Sequence, residues 1–379
     1  MKYIDEFRDH KVARALSLRI KEAANSAHPP REYHLMEFCG GHTYALFRYG
    51  LTDLLPANIK MVHGPGCPVC VLPIGRLDGA IELAKRPEVI FVTYGDVMRV
   101  PASDRQSLLK ARAEGADIRM VYSCADALTI AQENPSKEVV FFAIGFETTT
   151  PATAVILQEA HRLALKNFSI YCNHVITPPA ISSLLESPEV QNLGALRLDG
   201  FIGPAHVSAV IGSKPFEAFS NHYKRPVVIS GFEPLDLLQA ILMLVNQLNE
   251  NRACVENQYT RVVTREGNIR AQQSVADAFE LKPTFLWRGL GKLPYSGLKI
   301  QEKYSAFDAE IRFGLNVHEV PDPKACECAS IVKGLKKPHE CKLFGKVCTP
   351  DNPIGACMVS SEGACGAYYR FGPMSERRV

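Results

Sequence analysis

Short apolar runs alternate with amphipathic segments through the first two-thirds of the chain. Eight of these runs are almost continuously apolar, as expected for parallel strands that are buried on both faces. They are HLMEF, KMVHG, VIFVTYG, IRMVYS, EVVFFAIG, FSIYCNH, LDGFIGP and RPVVISG. The segments between them have helical spacing, for example the apolar stripe formed by Ile74, Leu77, Ile81 and Ala84. The pattern predicts an α/β fold.

Eight strand–helix units suit two sheets of four strands, one large doubly wound sheet, or a closed α/β barrel. Two parallel sheets that face each other across a cleft are favoured, because each half of this region carries four strands. After about residue 250 the pattern becomes mixed and then rich in Gly, Pro and Cys, which predicts a smaller cysteine-rich module. The expected modules are an N-terminal helix (1–25) packing on the C-terminal module, α/β domain I (26–125), α/β domain II (126–250) and the C-terminal module (251–379).

Composition and charge narrow the possible functions. Of the 379 residues 46% are apolar and 22% are charged, and the net charge is +3 without any block of like charges. Nucleic acid is therefore not an expected partner. The most apolar window, LDLLQAILMLV, is about half a membrane span and contains Asp236 and Gln239, which favours a buried helix over a membrane segment. The first twenty residues mix acids and bases, unlike a signal peptide. We expect a cytoplasmic protein.

Twelve cysteines direct attention to sulfur chemistry. In a reducing compartment they are better suited to metal binding or redox chemistry than to structural disulfides. Cys39 follows HLMEF, and Cys67 and Cys70 follow KMVHG in the stretch GPGCPVC. Because parallel strands end at one edge of a sheet, we expect these three thiols to share a site. A Cys-Pro-X-Cys turn can close into a disulfide, which favours a redox pair, with a structural turn as the alternative. His42 is a candidate ligand or proton donor, or else part of a helix start.

The second predicted sheet adds candidate polar groups. Glu147, in GFETTTP, is a carboxylate at a strand end that would face the thiol site across the cleft. The threonines after it suit a helix start before Pro151. His174 ends another strand and is expected to be a buried core histidine. The sequence has neither G-x-x-x-x-G-K-[ST] nor a G-x-G-x-x-G after a strand, so nucleotide chemistry is not expected.

Six cysteines crowd the C-terminal region, at positions 326, 328, 341, 348, 357 and 365. The C-x₂₋₄-C pairs typical of zinc sites are missing from their spacing, which favours a Cys₄ iron–sulfur cluster over zinc. The preferred ligand set has the pattern C-x₁₄-C-x₆-C-x₁₆-C and consists of Cys326, Cys341, Cys348 and Cys365. Cys328 and Cys357 then form a possible dithiol beside the cluster. An exchange of Cys326 with Cys328 and a structural zinc site both stay open.

Five separated motifs resemble the HypD family of [NiFe]-hydrogenase maturation factors. They are FCGGHTYAL, GPGCPVC, GFETTTP, NHVITPPA and CTPDNPIGACMVSSEGACGAYY, and the resemblance runs from about residue 30 to the end. The family often has His where this chain has Tyr44. The resemblance implies two α/β domains and a third domain with a [4Fe–4S] cluster.

The same resemblance implies a function and partners. Members of the family form, with a small HypC-like partner, the scaffold on which Fe(CN)₂CO is assembled before it passes to the hydrogenase large subunit. Cyanide would come from HypE, which HypF charges. Cys39 matches a cysteine that holds the iron jointly with the partner, and Cys67 and Cys70 match a redox pair. The cluster and the Cys328/Cys357 pair resemble the relay of ferredoxin–thioredoxin reductase. A free-standing disulfide reductase and a zinc-containing adaptor are the alternatives.

Overall fold

The protein has an α/β architecture with two separate parallel sheets, as the sequence predicted. The computed structural model describes residues 4–191, 194 and 196–372. The outermost residues of the expected N- and C-terminal modules, 1–3 and 373–379, therefore lie outside the described residues, as do 192, 193 and 195 of the expected second domain. The strands are β1 (Tyr33–Glu37), β2 (Ile59–His63), β3 (Val89–Thr93), β4 (Ile118–Met120), β5 (Glu138–Gly145), β6 (Phe168–His174), β7 (Gly200–Pro204), β8 (Val227–Ser230), β9 (Val255–Asn257), β10 (Phe279–Leu281), β11 (Thr284–Trp287), β12 (Gly291–Pro294) and β13 (Leu298–Ile300).

Helices connect and cover these strands. They are α1 (His10–Asn25), α2 (Gly40–Arg48), α3 (Pro68–Val71), α4 (Ile74–Ala84), α5 (Leu108–Ala113), α6 (Ala125–Glu133), α7 (Thr150–Arg162), α8 (Thr177–Leu185), α9 (Pro188–Gln191), α10 (Ala205–Ile211), α11 (Lys214–Tyr223), α12 (Pro234–Asn249), α13 (Ile269–Ala278), α14 (Ala309–Arg312), α15 (Cys328–Val332) and α16 (Ala364–Phe371). In the part of the chain that the structure describes, no helix combines the length and apolarity needed to cross a bilayer.

The first sheet, sheet A, has the strand order β2-β1-β7-β8-β9, and every neighbouring pair in it is parallel. Strand β1 lies between β2 and β7, so that Glu37 lies opposite His63 on one side and Ile202 on the other. The second sheet, sheet B, has the order β4-β3-β5-β6 and is also parallel throughout. All eight apolar runs predicted from the sequence are strands of these two sheets.

The grouping of the strands was predicted wrongly. The chain lays down β1 and β2 in sheet A, crosses to build all of sheet B, and returns to sheet A at β7. A boundary near residue 125 therefore divides sheet B rather than separating the two sheets. The physical reason is that a continuous apolar run specifies burial on both faces but carries no information about which strand lies beside it.

The N-terminal helix is also placed differently from the prediction. Helix α1 packs against α12 over one face of sheet A, not on the C-terminal module. Leu16, Ile20 and Ala24 form its buried stripe, at the helical spacing that an amphipathic surface helix shows. This stripe meets the side chains of α12, the LDLLQAILMLV helix, which is almost entirely buried.

The cysteine-rich segment packs against both the helices of sheet A and a face of sheet B. Helix α16 contacts α2, where the ring of Tyr368 meets Phe47 edge-on with centroids 5.0 Å apart. The antiparallel ribbons β10–β13 and β11–β12 precede this segment, and Trp287 of β11 lies 5.9 Å from the ring of Phe146, just beyond sheet B. One continuous apolar core thus joins the cysteine-rich segment to sheet B.

Candidate functional site

Cys39 lies where strand β1 passes into helix α2. It is the N-cap of that helix, and its carbonyl oxygen accepts hydrogen bonds from the amides of His42 (2.8 Å) and Thr43 (3.2 Å). Gly40 follows directly, and a Cβ there would lie 2.4 Å from Cβ of Glu362. The glycine after Cys39 thus lets the C-terminal segment come into direct contact with this turn. The side chain of Glu362 occupies the space that the glycine leaves.

A buried carboxylate holds the turn in place. Glu37, the last residue of β1, is fully buried, and its Oε2 accepts a hydrogen bond from the amide of Cys39 at 3.0 Å. Its Oε1 lies 2.8 Å from Nδ1 of His63 on the neighbouring strand and also accepts a hydrogen bond from the hydroxyl of Thr43. The sequence analysis missed Glu37, although a carboxylate closing an apolar strand was a usable signal.

The Cys39 site opens into a cavity of about 260 Å³ between the carboxyl edges of the two sheets. Sheet A contributes Cys39 and His206, which follow β1 and β7, and sheet B contributes Tyr94 and Gly145, at the ends of β3 and β5. The predicted cleft between two facing sheets is thus present. At about 30 Å³ per water molecule the cavity has the volume of about nine waters. It suits a small complex rather than a nucleotide.

His206, which the sequence analysis did not select, is the histidine closest to the thiol. Its Nδ1 lies 4.0 Å from Sγ of Cys39. The predicted His42 instead turns its Nε2 to the carbonyl oxygen of Ser230, 2.9 Å away. The ring of Phe232 separates the two imidazoles, with centroids 4.0 Å from His206 and 4.8 Å from His42. Burial lowers the pKa of both histidines, so both are neutral at pH 7.

The electrostatic environment keeps the Cys39 thiol protonated. Burial raises its pKa far above the ordinary value, and the nearby carboxylate of Glu362 raises it further. Burial likewise raises the pKa of Glu362, with Asp96 and Glu37 adding to the effect. The thiol therefore loses its proton when a nearby cation stabilises the thiolate or a base accepts the proton. His206 is the neutral base within reach.

Cys67 and Cys70 form a disulfide, with their Cα atoms 5.3 Å apart. Cys67 is the N-cap of the single-turn helix α3, and Pro73 separates α3 from α4. The preceding Gly66 touches the Cys39 turn, since a Cβ at Gly66 would lie 2.4 Å from the Cys39 nitrogen. All three thiols thus follow adjacent strands at one edge of sheet A. Cys67 is 5% exposed and Cys70 is 2% exposed, so the pair is nearly inaccessible to a large partner.

Glu147 stabilises a helix start in sheet B. Its carboxylate accepts hydrogen bonds from the amide (2.9 Å) and the hydroxyl (2.8 Å) of Thr177, at the beginning of α8. Burial raises its pKa to about 7, although these hydrogen bonds oppose the rise. The cavity receives the neighbouring Thr148 instead. His174 is a buried core histidine, as expected, with Nε2 2.9 Å from the hydroxyl of Thr153, and burial lowers its pKa to about 4.

The C-terminal thiols gather around Cys328. Its sulfur contacts those of Cys326 and Cys365, and this contact raises the pKa of both. Cys326 and Cys328 lie close enough to Cys348 to raise its pKa electrostatically, and Cys357 does the same to Cys365. Cys341, from the preferred ligand set, contacts Glu327 instead. Cys328, which the sequence left outside that set, is thus central among the thiols.

The donor chemistry of this group fits an iron–sulfur cluster. Six unpaired cysteines lie in one segment, and Gly355 leaves room beside two of them, because a Cβ there would come within 2.5 Å of Sγ of Cys326 and closer still to that of Cys328. Within residues 4–191, 194 and 196–372, no three His, Cys, Asp or Glu side chains converge closely enough to hold a single metal ion. The six thiols nevertheless make the segment a soft, sulfur-rich environment.

The arrangement of α3 connects this sulfur-rich segment to the Cys67–Cys70 disulfide. Helix α3 contacts both α15, which begins at Cys328, and the helical turn Ala356–Met358, which contains Cys357. The same apolar core includes all four of these cysteines. A chain of sulfur-bearing elements therefore runs from the C-terminal segment to the edge of sheet A where Cys39 lies.

Comparisons with known proteins agree with the motifs on which the site is built. The model of the HypD family, described as "Hydrogenase formation hypA family", matches residues 11–372. The hydrogenase maturation factor HypD of Azotobacter vinelandii is 62% identical over 372 residues, covering 98% of this chain and 97% of its own. HypD2 of Bradyrhizobium diazoefficiens is 60% identical with the same coverage, and HypD of Escherichia coli K12 is 47% identical over 98% of both chains. The chain belongs to the HypD family of hydrogenase maturation factors.

Proposed function

We propose that this protein is the scaffold on which the Fe(CN)₂CO group of [NiFe]-hydrogenases is assembled. It acts in the cytoplasm together with a small HypC-like partner and receives cyanide from HypE, which HypF charges. The finished group then passes to the hydrogenase large subunit. One observation carries the proposal: Cys39 opens into a small cavity between the two sheets, beside a neutral imidazole and next to the Cys67–Cys70 loop.

Iron is the substrate that Cys39 would hold, jointly with a cysteine of the partner. A thiolate is a soft anionic ligand suited to iron. Since ligands must be deprotonated, binding has to displace the Cys39 proton, and Nδ1 of His206 is placed to accept it. Tyr44, which stands where the family often has His, packs edge-on against Phe371 and accepts a hydrogen bond from Arg48. Any role of a second histidine at that position is therefore not carried over to this chain, where Tyr44 makes a structural contact.

Assembly also needs electrons, which we assign to the thiol pairs. Cys67 and Cys70 would exchange two electrons as they open and close their disulfide, with Cys328 and Cys357 as a second pair behind them. A [4Fe–4S] cluster held by Cys326, Cys341, Cys348 and Cys365 would supply single electrons to this segment. The contacts of α3 with the elements that carry Cys328 and Cys357 support this route between the two thiol pairs.

A free-standing disulfide reductase is the alternative function. Such an enzyme must present its attacking sulfur to a disulfide on another protein. Here Cys67 and Cys70 are 5% and 2% exposed, and they face the interior of the protein. Their burial favours internal delivery of electrons to the Cys39 site over reduction of a second protein.

Replacing Cys39 by Ser tests the scaffold function. The protein is co-purified with its small partner from cells that produce the whole maturation pathway. Infrared spectra are then recorded over the CN and CO stretching regions. Cys39→Ser should lose these bands and hydrogenase maturation, because the hydroxyl is a poor ligand for soft iron. The variant should keep the brown colour of a [4Fe–4S] cluster and the reversible Cys67–Cys70 disulfide. Cys254→Ser, at a thiol that contacts Arg252 and Gln247 far from the cavity, is the matched control. Maturation by the Cys39→Ser protein would contradict the proposal.

A further inference from the structure

A second cavity, of about 310 Å³, lies beside the C-terminal cysteines. Cys326, Cys328 and Gly355 form one end of it, where Gly355 leaves the two sulfurs uncovered. Its side walls are unusually rigid, since they contain four prolines, at positions 101, 321, 323 and 353. The cavity is thus a preformed space whose inner end is reactive sulfur.

The cavity distinguishes the two members of the outer thiol pair. Cys328 lines it and is 5% exposed, whereas Cys357 lies behind with 1% of its surface exposed. A small reagent in the cavity therefore meets Sγ of Cys328 first. Attack by a thiolate depends on access to the sulfur, so the position of Cys328 fixes which sulfur reacts.

A buried cation faces the same space. Arg288 lines the cavity and is 6% exposed, and its Nε lies 3.1 Å from Oδ1 of Asp322 in an ion pair. The backbone amide of Arg288 also donates a hydrogen bond to the carbonyl oxygen of Val71 (2.7 Å), in the helix that contains Cys70. The residue therefore links the cavity to the inner disulfide.

The mouth of the cavity is formed by a constrained loop. Asp104 and Arg105 have left-handed backbone angles, φ 52° and 58°, which non-glycine residues seldom adopt. Asp78 secures the loop by accepting hydrogen bonds from the amide (3.0 Å) and the hydroxyl (2.7 Å) of Ser103. Backbone strain of this kind is concentrated at ligand sites, where the surrounding structure maintains it. Here it places a second guanidinium, that of Arg105, at the opening.

We propose that this cavity binds a small dithiol that reduces the oxidised Cys328–Cys357 pair, which deepens and rests on the proposed function. A thiolate of the dithiol attacks Sγ of Cys328, the Cys328–Cys357 bond breaks, and Cys357 leaves as a thiolate that takes up a proton. The second thiol of the dithiol then attacks its own sulfur in the mixed disulfide, which frees Cys328 as a thiol. Two electrons and two protons pass to the cysteine pair, and the dithiol leaves as a cyclic disulfide.

The size and depth of the site select a small donor. At about 30 Å³ per water molecule the cavity has the volume of about ten waters, enough for a short dithiol. A redox protein would have to bring a surface cysteine to Cys328, which is 95% buried behind proline walls. The cavity therefore favours a low-molecular-weight dithiol over a redox protein as the external thiol reductant of the Cys328–Cys357 pair.

Two measurements on the full-length, oxidised protein test the proposal. Treatment with the monothiol cysteamine, which has no second thiol to complete the exchange, should leave a mixed disulfide on Cys328 that peptide mass spectrometry identifies. In the second measurement dithiothreitol reduces the protein, and free Cys328 and Cys357 are counted by alkylation over time. Val320 is a half-buried residue of the cavity lining, and Val320→Trp should slow this reduction about tenfold. The larger side chain restricts access to the sulfur, on which the exchange depends.

The controls separate this inference from the proposed function. Val262→Trp, at an exposed valine remote from the cavity, should reduce at the wild-type rate. An adduct on Cys357 or Cys67, or equal rates for Val320→Trp and Val262→Trp, would overturn the cavity proposal while leaving the thiol relay intact. Failure of Cys328 and Cys357 to form a disulfide in mild oxidant would overturn both the cavity proposal and the role of this pair in the relay.

Discussion

The residues to which we assign the chemistry of this protein lie at strand ends, and the sequence analysis selected some of them. Cys39, Cys67 and Cys70 were selected because a cysteine directly after a strand stands out in the sequence. His206 follows β7 just as Cys39 follows β1, so the same rule could have selected it. It was missed because β7 was assigned to the second sheet rather than beside β1, so nothing indicated that His206 follows a neighbour of the Cys39 strand. Which imidazole faces the thiol depends on Phe232, whose ring separates His206 from His42, and no sequence pattern reports such a contact.

His206→Asn tests whether this imidazole is the base for Cys39. Asparagine can replace the hydrogen-bonding atom near Nδ1 but cannot accept a proton at neutral pH. We expect the infrared bands of the co-purified complex to weaken by about 10- to 100-fold, as is usual when a residue that supports a metal ligand is lost. Circular dichroism should stay unchanged, because the fold does not require a base at this position.

The matched control is His222→Asn, at an exposed histidine that packs against Tyr223 on α11. It should give wild-type infrared bands. Alkylation of Cys39 by iodoacetamide supplies a second readout, since it follows the thiolate fraction. Equal alkylation rates in wild type and His206→Asn would mean that another group takes the proton, and would contradict the role assigned to His206.

At the scale of elements, the sequence predicted the strands well and the short irregular elements poorly. Each of the eight predicted strands is four to eight apolar-rich residues except β4, which pairs over Ile118–Met120 only. The ribbons β10–β13 and β11–β12 were not predicted, because strands of three or four residues contain too few positions for an alternating pattern to be recognised. Glu147 was predicted at the right strand end but joins two elements of sheet B rather than facing Cys39.

The buried carboxyl group of Glu147, which accepts hydrogen bonds from Thr177, predicts a pH dependence of stability. Its pKa rises from the ordinary 4.5 to about 7 because the carboxyl group is buried, so the folded state holds the proton more tightly than the unfolded state. This contribution to stability is complete below about pH 4.5 and is lost as the pH rises through 7. The size of the loss is on the order of 3 kcal/mol.

Glu147→Gln should remove this dependence, because glutamine keeps the acceptor for Thr177 and does not ionise. Urea denaturation at pH 5 and pH 8 should therefore show a smaller decrease in the free energy of unfolding for Glu147→Gln than for wild type. Glu133→Gln, at an exposed carboxylate at the end of α6, is the control and should follow the wild-type curve. A wild-type decrease in both variants would show that the Glu147 carboxyl does not titrate in this range.

At the scale of the whole molecule, the interleaving of the two sheets could not be predicted from the chain. Strand β1 pairs with β7, more than 160 positions away, and helix α1 packs on α12 at a still larger separation. Such contacts depend on the mutual fit of surfaces, whereas sequence patterns report only local periodicity and burial. The interleaving nevertheless has a structural result. Because sheet A is completed only after sheet B is built, the carboxyl edges of both sheets enclose one cavity.

Arg76 connects three parts of the molecule at the far side of sheet B. It lies on α4 and is 5% exposed; its guanidinium donates hydrogen bonds to Oδ1 of Asn173 (2.5 Å), on β6, and to Oε1 of Glu310 (2.8 Å), on α14. Lys282 also donates to Glu310, at 3.0 Å. Burial alone would raise the pKa of Glu310, but Arg76 and Lys282 outweigh it and hold the pKa at about 2. The stability from this carboxylate is therefore present above about pH 4.5 and is lost as the pH falls through 2.

Arg76→Met should loosen the attachment of residues 279–315 to sheet B. Methionine fills a similar volume but leaves the buried polar groups of Asn173 and Glu310 without their cation, which costs about 3 kcal/mol of unfolding free energy when one partner of a buried ion pair is removed. The pKa of Glu310 should rise towards its ordinary value, so that acid unfolding begins at a higher pH. Arg162→Met, at the end of α7, is the control, because Arg162 pairs with Glu159 in solvent and is expected to change stability by less than about 0.5 kcal/mol. Urea denaturation at pH 7 and an acid titration followed by circular dichroism measure both effects. If the two variants lost equal stability, the buried Arg76 network would not be what holds this segment to the sheet.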